Sequence, residues 1–94
     1  MTAAHADPVV QTFRSEIAAL DARLLATVNE RIGVVAQLHR YKTEHGLPVR
    51  DHAREEEMLG YLRSINAGPL SPEGLAELYT FVLELVRREV AARA

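Results

Sequence analysis

The sequence of 94 residues contains no cysteine, which excludes disulfide bonds, thiolate catalysis and cysteine-based zinc sites. Because a chain without cysteine fits a reducing compartment, we expect a cytoplasmic protein. The first seven residues, Met-Thr-Ala-Ala-His-Ala-Asp, lack a basic region followed by an apolar core, so we expect no secretory signal. The apolar runs are far shorter than the roughly 20 residues that cross a bilayer, and we expect no membrane span.

An excess of basic residues is also missing. Eleven Lys and Arg stand against thirteen Asp and Glu, giving a net charge of -2, so we expect no nucleic-acid partner. The chain has no Gly-rich phosphate loop and no nucleophile elbow. His39, His45 and His52 form no His-x-x-x-His pair, so we expect surface histidines and no metal site.

What the sequence does contain is helical periodicity. Asp7-Pro8 is typical of an N-cap followed by the first residue of a helix. From there, apolar residues recur at steps of three and four: Val10, Phe13, Ile17, Leu20, Leu24, Val28, Val35 and Leu38. Gly46 and Pro48 stop the pattern, which predicts one helix of about 37 residues, from Pro8 to roughly Glu44.

Two shorter helices follow. The second starts near Asp51 and ends before Asn66-Ala67-Gly68-Pro69, and the third opens at Ser71-Pro72-Glu73. Their predicted apolar faces are Met58, Leu59, Leu62 and Ile65 in the second, and Leu75, Leu78, Tyr79, Val82, Leu85, Val86 and Val90 in the third. The sequence therefore predicts an all-α fold of three helices, one very long, with a flexible tail at residues 1–7 and a helical domain at residues 8–94.

The length of the first helix predicts a dimer. A helix of this length spans about 55 Å, whereas a compact domain of this size has a radius of gyration of only about 12 to 13 Å. Two shorter helices can cover only part of its apolar stripe, and a helix is stabilised mainly by burying that stripe. We therefore expect the remainder to pack against a second copy, in an intertwined homodimer.

Three cations on the first helix are candidate site residues. Arg31 occupies a step of the apolar stripe, where it could form a salt bridge, extend its stem along the helix seam with the guanidinium in water, or bind an anionic ligand. Lys42 follows eleven residues later, within about 20° of the same helix face. Arg14 lies roughly 25 Å from Arg31 along the axis, so it is either a solvated surface arginine or joins that site from the other chain of an antiparallel dimer.

A second cluster follows the turn. Asp51 and Glu55 are one helical turn apart, with Arg54 beside them. Taken alone, this group fits an N-cap followed by an ordinary charged first turn. Arg50, Glu56 and Glu57 are expected to be solvated.

Together these residues resemble the all-α class of chorismate mutase over about residues 9 to 90. The resemblance is carried by Arg14, Leu20-Asp21, Arg31, Lys42, Pro48-Val49-Arg50-Asp51 and Arg54-Glu55, including the spacing Lys-(x8)-Asp-x-x-Arg-Glu. It implies an intertwined dimer that converts the dianion chorismate to prephenate in phenylalanine and tyrosine biosynthesis, by a Claisen rearrangement without a cofactor. A pericyclic step needs a held conformer and placed charge, which accounts for a site without a nucleophile.

The resemblance also implies a role for each residue. Arg31 and Arg14 of the partner subunit would bind the two substrate carboxylates, and Lys42 would donate to the ether oxygen. Asp51 and Glu55 would contact the ring hydroxyl, and Arg54 would support a carboxylate or order the acids. Lys42, Arg31 and Glu55 are thus the predicted catalytic residues.

The third helix departs from the family pattern. Val86 and Val90 occupy positions where many members have a Ser and a Gln or Glu that bind the substrate, and a shift by one residue would bring in Glu89. Such a chain could depend for full activity on docking to the first enzyme of the shikimate pathway. Alternatively it could act on 4-amino-4-deoxychorismate, or be an isochorismate-pyruvate lyase. An alternative of another class is a non-catalytic helical interaction module with Arg31 and Lys42 as seam charges.

Overall fold

The protein is described by a computed structural model that covers residues 7–93. These residues form three α-helices and no strands: α1 (Pro8–Glu44), α2 (His52–Ile65) and α3 (Pro72–Arg93). The predicted all-α fold with one very long helix is confirmed. Of the tail predicted at residues 1–7, residues 1–6 lie outside the described residues.

Local hydrogen bonds define both ends of α1. The Asp7 carboxylate accepts from the backbone N–H groups of Val9 and Val10 at 2.8 and 3.1 Å, as an N-cap does. At the other end, the Leu47 N–H donates to the Lys42 carbonyl at 2.8 Å and the Gly46 N–H donates to the Thr43 carbonyl at 3.3 Å. This pair of bonds is the Schellman motif, and Gly46 adopts the positive φ of 64° that the motif requires.

Gly46→Ala should lower the free energy of unfolding by about 1 kcal/mol, because a Cβ strains the left-handed backbone conformation. Gly60→Ala is the matched control, since Gly60 lies on an exposed face of α2 with open space around it. That change should stabilise the protein by up to about 1 kcal/mol through helix propensity. Urea unfolding measures both variants, and equal signs for the two changes would contradict the role of Gly46.

The starts of α2 and α3 are also capped as predicted. The Asp51 carboxylate accepts from the Arg54 N–H at 3.0 Å, and α2 begins at His52, directly after Asp51. The Ser71 hydroxyl oxygen accepts from the Gly74 N–H at 3.0 Å, and Pro72 is the first residue of α3. These caps determine where the chain leaves each loop.

The chain divides into two compact units, with the boundary after Arg31. In the first unit, α1 carries a series of large apolar side chains that are each more than half exposed: Val9, Phe13, Ile17, Leu20, Leu24 and Leu25. No residue of α1 is buried.

In the second unit, α2 packs against α3. The buried side chains are Leu75, Val86 and Val90, all on α3. Met58, Leu59 and Leu62 on α2 are half-buried, as their predicted place on the apolar face of that helix requires. Within residues 7–93, no helix is both long enough and apolar enough to cross a membrane.

Candidate active site

The loop between α1 and α2 is connected to the end of α1 through Lys42. The Lys42 ammonium donates to the Val49 carbonyl at 3.3 Å, and the Lys42 side chain is half-buried. Because Lys42 precedes the Schellman turn and Val49 follows it, this bond links the two ends of the turn. The ammonium group has two further donors that can serve a ligand.

Asp51 and Arg54 both make local contacts. Asp51 is the N-cap of α2. This is one of the two roles that the sequence suggested for it, the other being a contact with the substrate. The Arg54 guanidinium forms an ion pair with Glu57, and both side chains are more than half exposed. Glu57 is exposed, as expected for a solvated surface residue, and it also accepts a hydrogen bond from Arg54.

Glu55 lies at the centre of the strongest polar cluster. Arg50 binds it with two bonds, from Nε to Oε2 at 3.0 Å and from Nη2 to Oε1 at 3.1 Å. Arg87 on α3 adds a third bond, from Nη1 to Oε2 at 3.2 Å. The Glu55 side chain is only 22% exposed, so these charge-assisted bonds form in a partly desolvated position.

Sequence reasoning missed both arginines of this cluster. Arg50 was expected to be solvated surface and its side chain is 43% exposed, but its bidentate pair with Glu55 was not foreseen. Arg87 was not assigned to the site, and it lies 32 residues from Glu55 in sequence. A helix-spacing rule cannot find either pair, since Arg50 precedes the N-cap of α2 and Arg87 reaches Glu55 only through the packing of α2 on α3.

The cluster keeps Glu55 ionised. The hydrogen bond from Arg50 holds the pKa of the Glu55 carboxyl below its ordinary value, and partial burial opposes this effect. The positive charges of Arg50, Arg87 and His52 lower the pKa further. An ionised carboxylate accepts hydrogen bonds and cannot donate them, so Glu55 is suited to bind a hydroxyl or an ammonium group.

Glu55→Gln should lower the free energy of unfolding at pH 7 by about 1 kcal/mol or less, because a partly exposed ion-pair network is lost. The folded-state pKa of Glu55 lies below the ordinary value of 4.5, so this contribution is present above about pH 4.5 and disappears as the pH falls through the lower value. Urea unfolding at pH 7 and pH 3 measures it. Glu56→Gln, at an exposed neighbour, is the control, and a difference independent of pH would contradict this account.

Arg14 and Arg31 belong to the first unit. Arg31 is half-buried and Arg14 is exposed. Within residues 7–93, neither side chain takes part in a hydrogen bond or an ion pair. The salt-bridge explanation of Arg31 therefore has no acidic partner in the described part of the chain.

Val86 and Val90 lie in the core of the second unit, at 1% and 5% exposure. Glu89 is exposed. The helical register of α3 therefore directs the two valines inward and Glu89 outward. This arrangement disfavours the one-residue shift that would have placed Glu89 at the family's donor position.

His45 contacts Tyr41 at the C-terminal end of α1. His45 stacks on Tyr41 with ring centroids 3.9 Å apart, and its Nδ1 lies 2.8 Å from the Tyr41 carbonyl oxygen. Within the described residues, no group of three or more His, Cys, Asp or Glu side chains could hold a metal ion.

The sequence of the three helices and their connecting loops matches a known family of proteins. The sequence pattern of the family described as chorismate mutase type II matches residues 13–90. The chain therefore belongs to the chorismate mutase type II family, which is a family of isomerases. Membership in an enzyme family disfavours the non-catalytic interaction module.

Individual relatives agree with this family. Two solved forms of a chorismate mutase from Thermus thermophilus have the same fold. Form I is 35% identical with a TM-score of 0.80, covering 82% of this chain and 96% of that chain. Form II is 33% identical with a TM-score of 0.83, covering 87% and 93%.

A third relative carries a different substrate in its name. A 4-amino-4-deoxychorismate mutase from Streptomyces venezuelae is 42% identical over 45 residues, which are 48% of this chain. The matched stretch spans less than half, 44%, of that relative.

Proposed function

We propose that the protein catalyses the rearrangement of chorismate to prephenate in phenylalanine and tyrosine biosynthesis. The observation that carries the proposal is Arg31, a half-buried guanidinium on α1 with no acidic partner within residues 7–93. A substrate carboxylate supplies the missing anion, and the planar guanidinium can bind it with two parallel bonds. The family membership supplies the reaction.

The proposed mechanism requires no cofactor and no covalent intermediate. The substrate must be held in its reactive diaxial conformer, and charge must be placed where the breaking C–O bond polarises. Arg31 and the partner subunit's Arg14 bind the two carboxylates. Lys42 donates to the ether oxygen, which gains negative charge in the transition state, so this interaction strengthens as the reaction proceeds.

The acids beside the turn orient the ring. Glu55, held as a carboxylate by Arg50 and Arg87, accepts a hydrogen bond from the ring hydroxyl. Asp51 has one oxygen in the helix cap, and its other oxygen is an alternative acceptor for the single proton of that hydroxyl. Arg54 supports a substrate carboxylate or orders these acids.

The homodimer is part of this proposal. The apolar side chains of α1 in the first unit are more than half exposed, and a second copy of the chain would bury them. At about 25 cal/mol per Å², burial of such side chains stabilises by roughly 1.5 to 3 kcal/mol each. The same association would bring Arg14 of the partner subunit into the site.

The valines of α3 limit the expected activity. Val86 and Val90 stand where the family resemblance places substrate-binding residues, but both side chains are buried in the core and valine cannot donate to the ether oxygen. Lys42 would then be the principal donor, and the protein alone would be a modest catalyst. We propose that the first enzyme of the shikimate pathway, in the cytoplasm, is the partner that raises its activity.

A second candidate substrate is 4-amino-4-deoxychorismate. It is favoured by the 42% identity, over 45 residues, to the mutase named for that compound. An ionised Glu55 can accept from an amino group as it does from a hydroxyl.

The experiment that tests the proposal follows the consumption of chorismate and the formation of prephenate by purified protein. The assay is run alone and with the first enzyme of the shikimate pathway, and 4-amino-4-deoxychorismate and isochorismate are tested in parallel. Prephenate formation above background supports the proposal. If no substrate reacts faster than background under either condition, the mutase proposal is wrong.

A further inference from the structure

The carboxylate of Glu55 has an uneven set of partners. Within the described residues 7–93, its Oε2 accepts from both Arg50 Nε and Arg87 Nη1, whereas its Oε1 accepts only from Arg50 Nη2. An ionised carboxylate has about four acceptor positions, two on each oxygen. Oε1 therefore retains one open position for a donor from a ligand.

Two guanidinium groups lie beside this open position. One carboxylate faces two guanidinium groups, one from the loop before α2 and one from α3. The third cation near it, when protonated, is His52 on the same helix as Glu55. With His52 neutral, Glu55, Arg50 and Arg87 together carry a net charge of +1, and the Asp51 carboxylate, proposed to lie at the same ring substituent, offsets it. Arg87 is thus the cation that cancels the second negative charge of the site, and its removal would leave surroundings that favour a cationic donor.

We propose that Arg87 is a specificity-determining residue, which makes the site prefer a ring hydroxyl over a ring ammonium as the donor to Glu55. The inference rests on the proposed function, in which Glu55 binds the ring substituent of a chorismate-type substrate. Arg87 is not one of the charged residues that carry the family resemblance. Its part in the site follows from its contact with Glu55, at 3.2 Å, and from its position next to the buried Val86.

The physical basis is electrostatic. A hydroxyl donates one hydrogen bond to Oε1 and brings no charge. An alkyl ammonium brings a full positive charge, as an aliphatic amine is protonated at neutral pH. Arg50 offsets the charge of Glu55, and Arg87 repels the ammonium and so opposes the attraction that the Asp51 carboxylate would exert on it. Because the Arg87 side chain is 38% exposed, solvent screens this repulsion in part, and the effect is several-fold.

The test compares kcat/KM for chorismate and for 4-amino-4-deoxychorismate in wild-type protein and in Arg87→Gln. Removal of the Arg87 charge should lower the ratio of kcat/KM for chorismate to kcat/KM for 4-amino-4-deoxychorismate by about 3- to 10-fold. Arg88→Gln is the matched control, since it removes the same charge from an exposed neighbour without a partner in residues 7–93. Arg87→Lys retains the charge and should retain most of the wild-type ratio.

The outcomes separate this inference from the proposed function. A ratio that falls in Arg87→Gln but not in Arg88→Gln or Arg87→Lys supports the inference. If Arg87→Gln turns over both substrates with the wild-type ratio, the inference is overturned and the proposed function stands. If wild-type protein turns over neither substrate, both are overturned. Should Arg87→Gln fail to fold, Arg87→Met retains the apolar stem and provides the same comparison.

Discussion

Lys42→Ala should lower kcat for the rearrangement of chorismate by about 10²- to 10³-fold, which corresponds to about 3 to 4 kcal/mol of barrier. The reason is that the ammonium is the principal donor aimed at the ether oxygen, where negative charge develops in the transition state. Val86 and Val90 cannot take over that role, because their side chains have no donor. Steady-state kinetics with purified variants measure the loss.

The fold should tolerate this change. The only hydrogen bond of the Lys42 side chain within residues 7–93 is the one to the Val49 carbonyl at 3.3 Å, and that carbonyl can turn to water. Arg40→Ala is the matched control, because it removes an exposed cation from the same end of α1. Equal kcat values for the two variants, both folded by circular dichroism, would contradict a catalytic role for Lys42.

A mixture of two inactive variants should regain about a quarter of wild-type activity. Arg14→Ala and Lys42→Ala would each disable both sites of their own dimer. After co-refolding at equal concentrations, half of the dimers would be mixed, and each mixed dimer would contain one intact site of two. About a quarter of all sites would therefore be intact, as expected if Arg14 acts in the site of the partner subunit.

The control mixture pairs Lys42→Ala with Arg31→Ala. Arg31 and Lys42 are proposed to act in the same chain, so no mixed dimer would contain an intact site, and activity should stay at the level of the separate variants. Chorismate turnover is measured before and after co-refolding. Equal recovery in both mixtures, or none in either, would show that Arg14 does not act across the dimer.

Local sequence signals were sufficient for the helices. Asp7, Gly46 and Ser71 act through bonds to backbone groups within a few residues, and such bonds depend little on distant packing. The same holds for the Asp51 cap, whose partner is three residues away. The family pattern, which spans residues 13–90, could likewise be recognised from the spacing of a few charged residues.

The environment of Glu55 could not be predicted in this way. Arg50 is exposed, as expected, and nothing in the sequence indicated that it would also pair with Glu55 from a position before the N-cap of α2. Arg87 was one of several basic residues near the chain end. Its contact with Glu55 depends on the rotation of α3 about its axis as it packs on α2, and no local rule specifies that rotation.

The sequence alone was therefore sufficient to predict the three helices, the charged residues around the turn at residues 42–55, and the family. Each of these depends on residue types at short or fixed spacing. The helix packing of the second unit decided two further matters: that Val90 rather than Glu89 faces the core, and that Glu55 has two guanidinium partners. Both depend on which faces of α2 and α3 meet. Such contacts join residues far apart in the chain, and their energies are settled only when the helices pack.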